Sequence, residues 1–150
     1  MSEIAVLFCT PPWSYETEVA FQKLYTSIFD RIPDEATNLR IKSKSNTLLL
    51  LAQNDQGEAI AFKLGYEDDP ATYYSWLGGV LPAYRNKGVG SLLMDAQHTW
   101  CKERGYRAVR TKTRNQWRAM LVRNIKSGFD IVETYAGEDG DLRIVMEKRL

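Results

Sequence analysis

Two basic residues and two glycines stand directly before an amphipathic segment, in the stretch LPAYRNKGVGSLLM at residues 81–94. Arg85 and Lys87 supply positive charge, while Gly88 and Gly90 leave the backbone uncovered. The first turn of a helix has unpaired N–H groups and carries roughly half a positive charge. Uncovered backbone at such a position binds anions, and a pyrophosphate suits the charge. The stretch therefore predicts a phosphate-binding loop that opens a helix.

Glycine-rich phosphate loops of three kinds differ in their sequence patterns. A Walker A loop has Lys and then Ser or Thr directly after its last glycine, whereas Gly90 is followed by Ser91 and Leu92. A dinucleotide-binding loop has a third glycine, and Leu93 stands at that position. The third pattern is Arg or Gln, two residues, Gly, one residue, then Gly or Ala, entered from a strand through Val-x-Pro. Every position of it is filled, by Val80, Pro82, Arg85, Gly88 and Gly90.

The elements that position this loop follow the order β, α, α, a three-stranded meander, two strand–helix units and a terminal hairpin. Ser14 is a favourable N-cap for the first helix, and Pro33 ends that helix. A helix joins two predicted strands on either side of the loop, so these strands should be parallel with a right-handed crossover. The predicted strands are 3–8, 46–53, 58–67, 72–80, 107–113, 129–136 and 142–150, and the later helices are 33–42, 90–104 and 116–127.

The last two helices have apolar residues at helical spacing, which predicts a buried face on each. In the helix after Gly90, this face consists of Val89, Leu92, Leu93, Ala96 and Trp100. In the helix around 116–127, the residues predicted to face inward are Trp117, Met120, Leu121 and Ile125.

With Val80 and Pro82 before it and an amphipathic helix after it, the loop resembles that of the GNAT superfamily of N-acetyltransferases. The segment TRNQWRAMLVRNIKSGF (113–129) is similar to the family's second cofactor segment, an Asn after a strand and a helix that ends in Gly-Phe. The resemblance implies one GNAT-like domain over residues 1–150. Its fold would be α/β (α+β), with a mixed, largely antiparallel central sheet of about six to seven strands, a splayed parallel pair, and about four helices.

The resemblance also implies acetyl-CoA as the co-substrate and no metal. The backbone of Gly78, Gly79 and Val80 would pair with the pantetheine arm, which would enter between the splayed strands. Asn115 would contact the arm from the other side, and the Val80 N–H would face the thioester carbonyl as an oxyanion donor. The loop residues that this implies for the pyrophosphate are Arg85, Asn86, Lys87, Gly88, Val89, Gly90 and Ser91.

Family members often have a Tyr in the second helix, four residues before the Gly of Gly-Phe, where it can protonate the departing thiolate. Here that position is Asn124, and counting from Asn115 instead leads to Val122. The sequence therefore leaves the leaving-group acid open. We expect Asn124 to line the thiol end of the site without acting as an essential acid, and Tyr135 or water is the next candidate.

The acceptor side is predicted from an aromatic and acidic group near the end of the meander. Tyr66, Tyr74 and Trp76 could present π faces to a cationic amine before it loses its proton. Glu67, beside them in sequence, is the predicted base or water-orienting group. Glu16 and Glu18 on the first helix are the alternatives.

His98 and Cys101 are three residues apart on a predicted helix, a spacing that can bind a metal. His98 is the only histidine, and the other cysteine, Cys9, is distant in sequence. We therefore predict no metal site, and a buried structural role for Cys101.

Charge is nearly balanced, with 20 Lys and Arg residues against 19 Asp and Glu residues. Without a basic excess, nucleic acid is not predicted as a partner, even for the Arg-rich segment 104–123.

The longest apolar run, residues 48–52, is far too short to span a bilayer, and the start of the chain lacks a basic signal-peptide region. We expect a cytoplasmic protein without a membrane partner, and a homodimer stays open.

Two functions fit these observations. The first is an N-acetyltransferase that moves an acetyl group from acetyl-CoA to a primary amine, on a small molecule or a peptide, by direct attack on the thioester. The alternative is a non-catalytic acyl-CoA-binding sensor or scaffold, which the missing Tyr favours. A thiol is already a fair leaving group near neutral pH, so the missing Tyr slows the reaction without abolishing it.

Overall fold

A single seven-stranded mixed sheet forms the centre of the computed structural model, which describes residues 3–150. The strand order is β1-β2-β3-β4-β5-β7-β6, and among these neighbours only β4 and β5 are parallel. The strands are β1 (Ala5–Cys9), β2 (Leu48–Gln53), β3 (Ala59–Asp69), β4 (Thr72–Val80), β5 (Ala108–Thr113), β6 (Asp130–Ala136) and β7 (Leu142–Arg149).

In the part of the chain that the structure describes, four α-helices flank the sheet: α1 (Tyr15–Phe29), α2 (Glu35–Ser43), α3 (Val89–Glu103) and α4 (Arg118–Lys126). The Ser14 side chain accepts a hydrogen bond from the Thr17 N–H, so the predicted N-cap of α1 is confirmed. Within residues 3–150, no helix has both the length and the apolar character to cross a membrane. The predicted mixed sheet with one parallel pair and four helices is confirmed.

The sheet is covered on both faces, which explains why β2 is an unbroken apolar run rather than an alternating one. Leu49 and Leu51 pack with Phe21 and Leu24 of α1 on one face. Leu48 and Leu50 belong to the core on the other face, which α3 covers through Leu93, Met94 and Trp100. Along β3 and β4, side chains therefore alternate between the face that α1 and α2 cover and the face that α3 covers.

The predicted buried face of α4 was right for Leu121, which packs against the core, and wrong for its other three residues. Trp117, Met120 and Ile125 are 57%, 41% and 50% exposed, whereas Asn124 is only 4% exposed. Leu121 and Asn124 form the inward side of this short helix, and Leu121 packs against the α3 core. Met120 and Ile125 each stand one residue, or about 100°, away from that side. Trp117 precedes the helix as its N-cap residue and lies outside the regular turn.

Candidate active site

The parallel strands β4 and β5 separate after a short paired stretch. Pairing covers only Thr72↔Ala108, Tyr73↔Val109 and Tyr74↔Arg110. At the end of this stretch, the Thr111 hydroxyl donates to the Ser75 carbonyl oxygen at 2.9 Å. Beyond it, residues 76–80 of β4 have no strand partner on the β5 side among the described residues. The gap opens toward the carboxyl ends of both strands, where the glycine-rich loop and Asn115 follow.

Two residues of β4 turn their backbone polar groups into this gap. The Leu81 N–H donates to the Ile60 carbonyl oxygen at 2.9 Å, so residue 81 faces β3. Because N–H groups along an antiparallel strand point alternately to either side, Gly79 also faces β3, whereas Gly78 and Val80 face the gap. This corrects the prediction that Gly79 pairs with the pantetheine arm. A Cβ on Gly79 would lie 2.7 Å from the Ile28 Cγ2, so close packing of α1 explains that glycine.

The loop before α3 holds a continuous run of unused backbone donors. Gly88 has φ +82° and Asn86 has φ +62°, which is the left-handed region. Alternation of this conformation with right-handed residues turns successive N–H groups inward and forms an anion-binding nest. Within residues 3–150, no acceptor receives the backbone N–H of Asn86, Lys87, Gly88, Val89, Gly90 or Ser91. The loop thus fits the predicted pyrophosphate, whose oxygens would accept these donors.

The two basic side chains of the loop have different surroundings. The Arg85 Nε donates to the Val80 carbonyl oxygen at 2.9 Å, which ties the loop to the end of β4. This contact satisfies the carbonyl and leaves the Val80 N–H facing the gap. The Lys87 ammonium lies 5.9 Å from the centroid of the Tyr84 ring and is exposed to solvent. Arg85 therefore fixes the loop conformation, and Lys87 supplies mobile charge at its edge.

Sequence reasoning missed two further cations at the gap. The Arg123 guanidinium packs against Gly90 in the first turn of α3, and no carboxylate within the described chain pairs with it. Lys63 stands opposite Gly78 in the β3–β4 register. Burial, and then the charge of Arg123, lowers the pKa of the half-buried Lys63 to about 8. The sequence did offer a sign of Lys63, because a lysine is unusual within the apolar run of β3. No sequence motif pointed to Arg123.

Asn124 and Asn115 lie at different depths. Asn124 is buried, and its Nδ2 donates to the Met146 Sδ at 3.8 Å. Met146 is paired with Thr111, the residue that marks the end of the gap, so Asn124 faces the sheet at that level. Asn115 is exposed in the turn that follows β5. Roles for both residues toward the cofactor stay predictions.

A cleft of about 450 Å³ lies on the α2 side of the sheet beside the open gap. Tyr66 and Tyr74 are buried at its base, with ring centroids 5.4 Å apart. The Arg40 guanidinium lies 4.5 Å from the Trp76 ring centroid and 5.2 Å from that of Tyr66. It also donates to the Tyr66 hydroxyl. The π faces predicted to hold a substrate amine thus hold a cation of the protein itself.

The β5 side of the cleft carries one row of side chains across three strands. Lys112 is paired with Val145, and Val145 with Glu133. All three line the cleft. The Lys112 ammonium lies 5.9 Å from the Tyr74 centroid and 5.5 Å from that of Tyr135. Burial raises the pKa of Tyr74 to about 12, so its hydroxyl stays protonated at neutral pH.

Glu67 lies away from this cleft, which corrects its predicted role as the base. Residues 66 and 67 point to opposite faces of the sheet, and Tyr66 occupies the cleft face. The Glu67 carboxylate accepts hydrogen bonds from the Tyr106 hydroxyl at 2.8 Å and the Asn46 Nδ2 at 3.1 Å. Both partners are structural, so Glu67 joins β3 to the segments before β2 and β5. Of the acidic residues that line the cleft, only Glu133 forms no ion pair within the described chain.

His98 and Cys101 are both buried against the sheet. Burial, with the nearby charges of Lys148 and Lys63, lowers the pKa of His98 to about 3, so the imidazole is neutral at physiological pH. Burial raises the pKa of Cys101 to about 12, which keeps the thiol protonated. Among residues 3–150, no cluster of three or more His, Cys, Asp or Glu residues could hold a metal ion.

Comparison with known proteins identifies the family. The sequence model of the acetyltransferase (GNAT) family matches residues 12–129. The chain belongs to the GNAT acetyltransferase family. A search of curated proteins finds no significant match. As a GNAT protein it is an acetyl-CoA-dependent N-acetyltransferase, which confirms the predicted enzyme class and co-substrate.

Solved structures share the fold of this GNAT domain at low sequence identity. Ard1 from Thermoplasma volcanium is 19% identical, with a TM-score of 0.80 over 99% of this chain and 97% of that one. The ribosomal-protein-S18-alanine N-acetyltransferase from Escherichia coli is 18% identical, with a TM-score of 0.77 over 99% and 94%. A GNAT family acetyltransferase from Elizabethkingia anophelis with acetyl-CoA bound is 19% identical, with a TM-score of 0.75 over 98% of each chain.

Proposed function

We propose that this GNAT enzyme transfers the acetyl group to a primary amine that binds in the cleft on the α2 side of the sheet. One observation carries the proposal. The gap between β4 and β5 begins at a loop with six unused backbone donors and ends beside a cleft lined by charged and aromatic side chains. A ligand that spans the gap would therefore place its two ends in two chemically different sites.

The donor end would be held by the loop and by the cations of the gap. Acetyl-CoA supplies a thioester, which a neutral amine can attack. The N–H groups of residues 86–91 and the Arg123 guanidinium would bind the phosphates, because both present positive charge at the start of α3. Lys63, behind Gly78, would add a further cation to the gap.

The thioester carbonyl would accept a hydrogen bond from a backbone N–H that faces the gap. Val80 and Gly78 both offer one. Val80 lies next to the loop, whereas Gly78 is nearer to Ser75, where the gap ends. A backbone donor fixed by the sheet needs no reorganisation as charge develops on the oxygen, which is the physical basis of oxyanion stabilisation. Such positioning and electrostatics would supply most of the rate acceleration.

Proton transfer would involve residues of the cleft. Glu133 lies two strands, or about 10 Å, from the backbone of Lys112, so a proton from the amine would reach it through water. Tyr135 lines the same cleft, is 40% exposed and is our candidate to protonate the thiolate. Asn124 replaces the Tyr common in the family, and we assign it no proton transfer because an amide does not titrate.

The proposal is tested by release of free thiol from acetyl-CoA in the presence of a panel of amines. The panel contains amino acids, peptides, polyamines and aminoglycosides, and a reaction without amine measures hydrolysis. We expect at least one amine class to raise thiol release well above hydrolysis, with the N-acetyl product identified by mass spectrometry. Tight acetyl-CoA binding with no amine-dependent release from any class would instead favour the non-catalytic sensor, which the missing Tyr at position 124 supports.

A further inference from the structure

Two cations in the cleft lack a carboxylate partner. Within residues 3–150, no Asp or Glu oxygen lies within 4.0 Å of the Arg40 guanidinium or the Lys112 ammonium. Their contacts within the protein are aromatic rings and, for Arg40, the Tyr66 hydroxyl. Ring faces and a hydroxyl leave the positive charge uncompensated, so each cation can still bind an anion.

Ion pairs form in the same cleft, but they do not involve Arg40 or Lys112 within residues 3–150. Arg110 also lines the cleft and pairs with Asp68 at 2.7 Å and with Glu147 at 3.2 Å. These two carboxylates are committed to Arg110. Glu133, the acidic residue that lines the cleft besides Asp68, forms no ion pair within residues 3–150. Among the described residues, the cleft thus presents two cations and one carboxylate that form no ion pair.

Arg40 and Lys112 approach one ring from two different elements. The Arg40 Cζ lies 6.0 Å from the Tyr74 centroid, and the Lys112 Nζ lies 5.9 Å from it. Both cations thus flank one ring, and a carboxylate at the positively polarised edge of Tyr74 would be attracted by both. Tyr74 is also the last residue of β4 that pairs with β5, so this anion would lie beside the end of the gap.

We infer that the acceptor carries a carboxylate near its primary amine, and that Arg40 and Lys112 bind this carboxylate. The inference rests on the proposed amine acetylation. Glu133 lies in the same row as Lys112 and would face the ammonium form of the amine. Free amino acids and peptides with a nearby acidic group share this chemistry. A polyamine has only positive charge and would be repelled by Arg40 and Lys112.

Equilibrium binding tests the inference without turnover. The ligands are tested in pairs, and the two members of a pair differ only in whether they have a carboxylate or a carboxamide. The acids are N-acetylalanine, N-acetylleucine and N-acetylglutamate, each compared with its amide. They are titrated by calorimetry into protein saturated with CoA. We expect at least one acid to bind tenfold or more tightly than its amide. Equal affinity within every pair, or no measurable binding by any acid, would overturn the inference.

Variants then assign the effect to the two cations. The selectivity for the acid is the affinity of an acid divided by the affinity of its amide. Lys112→Gln and Arg40→Gln should each reduce this ratio about tenfold, and unchanged CoA affinity would show that each variant is folded. Lys102→Met, an exposed lysine of α3, removes the same charge outside the cleft and should leave the ratio unchanged. A ratio that survives both cleft variants would overturn the inference. Acids that bind selectively to a protein that acetylates no amine would support the carboxylate site and contradict the proposed function instead.

Discussion

The guanidinium of Arg123, on α4, packs against Gly90 in the first turn of α3. Two positive ends thus meet at one point, because the start of a helix carries positive partial charge. No carboxylate within residues 3–150 neutralises Arg123. An anion between them would relieve this repulsion, so we predict that a phosphate of CoA binds at this contact.

Arg123→Met should weaken CoA binding about tenfold, the loss expected for one charge-assisted hydrogen bond. Lys126→Met removes the same charge from the last turn of α4 and should change affinity less than twofold. Gly90→Glu should abolish binding, because its carboxylate would pair with Arg123 and occupy the phosphate position. Calorimetry with CoA provides the measurement, and parental affinity in Gly90→Glu would disprove the assignment of this loop.

Gly88→Ala should impair the loop through backbone conformation alone. The φ of Gly88 is +82° and no atom lies within 4 Å of the position that a Cβ would take, so strain arises without a clash. Gly57 has φ +78° and equally open space in the β2–β3 turn. Both alanine variants should lose about 1 kcal/mol of stability in urea unfolding, but only Gly88→Ala should lose CoA affinity. Equal CoA affinity in the two variants would show that the left-handed residue is not needed for binding.

Lys63 should make the stability of the protein without ligand depend on pH. The pKa of Lys63 is lowered from 10.5 to about 8 in the folded protein. The unfolded chain therefore binds more protons between these values, and stability rises with pH across that window. The cost of the buried charge is present in full below pH 8 and disappears toward pH 10.5.

Lys63→Met removes this cost at every pH. The melting temperature of the variant should exceed that of the parent at pH 7, and the difference should shrink as pH rises from 8 to 10. Differential scanning fluorimetry across this range measures both proteins side by side. A difference that stays constant from pH 7 to pH 10 would mean that Lys63 is charged and solvated in the folded protein.

Glu133 and Glu67 should have different roles, the first in catalysis and the second in stability. Glu133→Gln should lower kcat/KM for the best amine of the panel about 100-fold, as expected for loss of a proton acceptor, with CoA affinity unchanged. Glu67→Gln should keep kcat/KM within about twofold and lose about 1 kcal/mol of stability, because it weakens the bonds from Tyr106 and Asn46. The reverse pattern, a catalytic loss in Glu67→Gln alone, would restore the role that the sequence predicted for Glu67.

The sequence by itself determined the elements and predicted the phosphate-binding loop. Local rules decide both, because apolar periodicity and caps set the strands and helices, and glycines with nearby charge mark the start of α3. The pattern from Val80 to Gly90 is contiguous in the chain, so its meaning does not depend on distant contacts. The family resemblance and the acetyl-CoA prediction rested on this segment and on residues 113–129, and each of the two is contiguous in the chain.

Tertiary structure decided which residues share the cleft and the gap. Glu67 and Tyr66 are adjacent in sequence, yet the pleat sends them to opposite faces, and only the contacts of α2 and α3 tell which face is which. Arg40, Lys112 and Glu133 come from α2, β5 and β6, so no local pattern joins them. Arg123 reaches Gly90 only because α4 lies beside α3. A site built from separate elements depends on packing, which the period of a single segment does not encode.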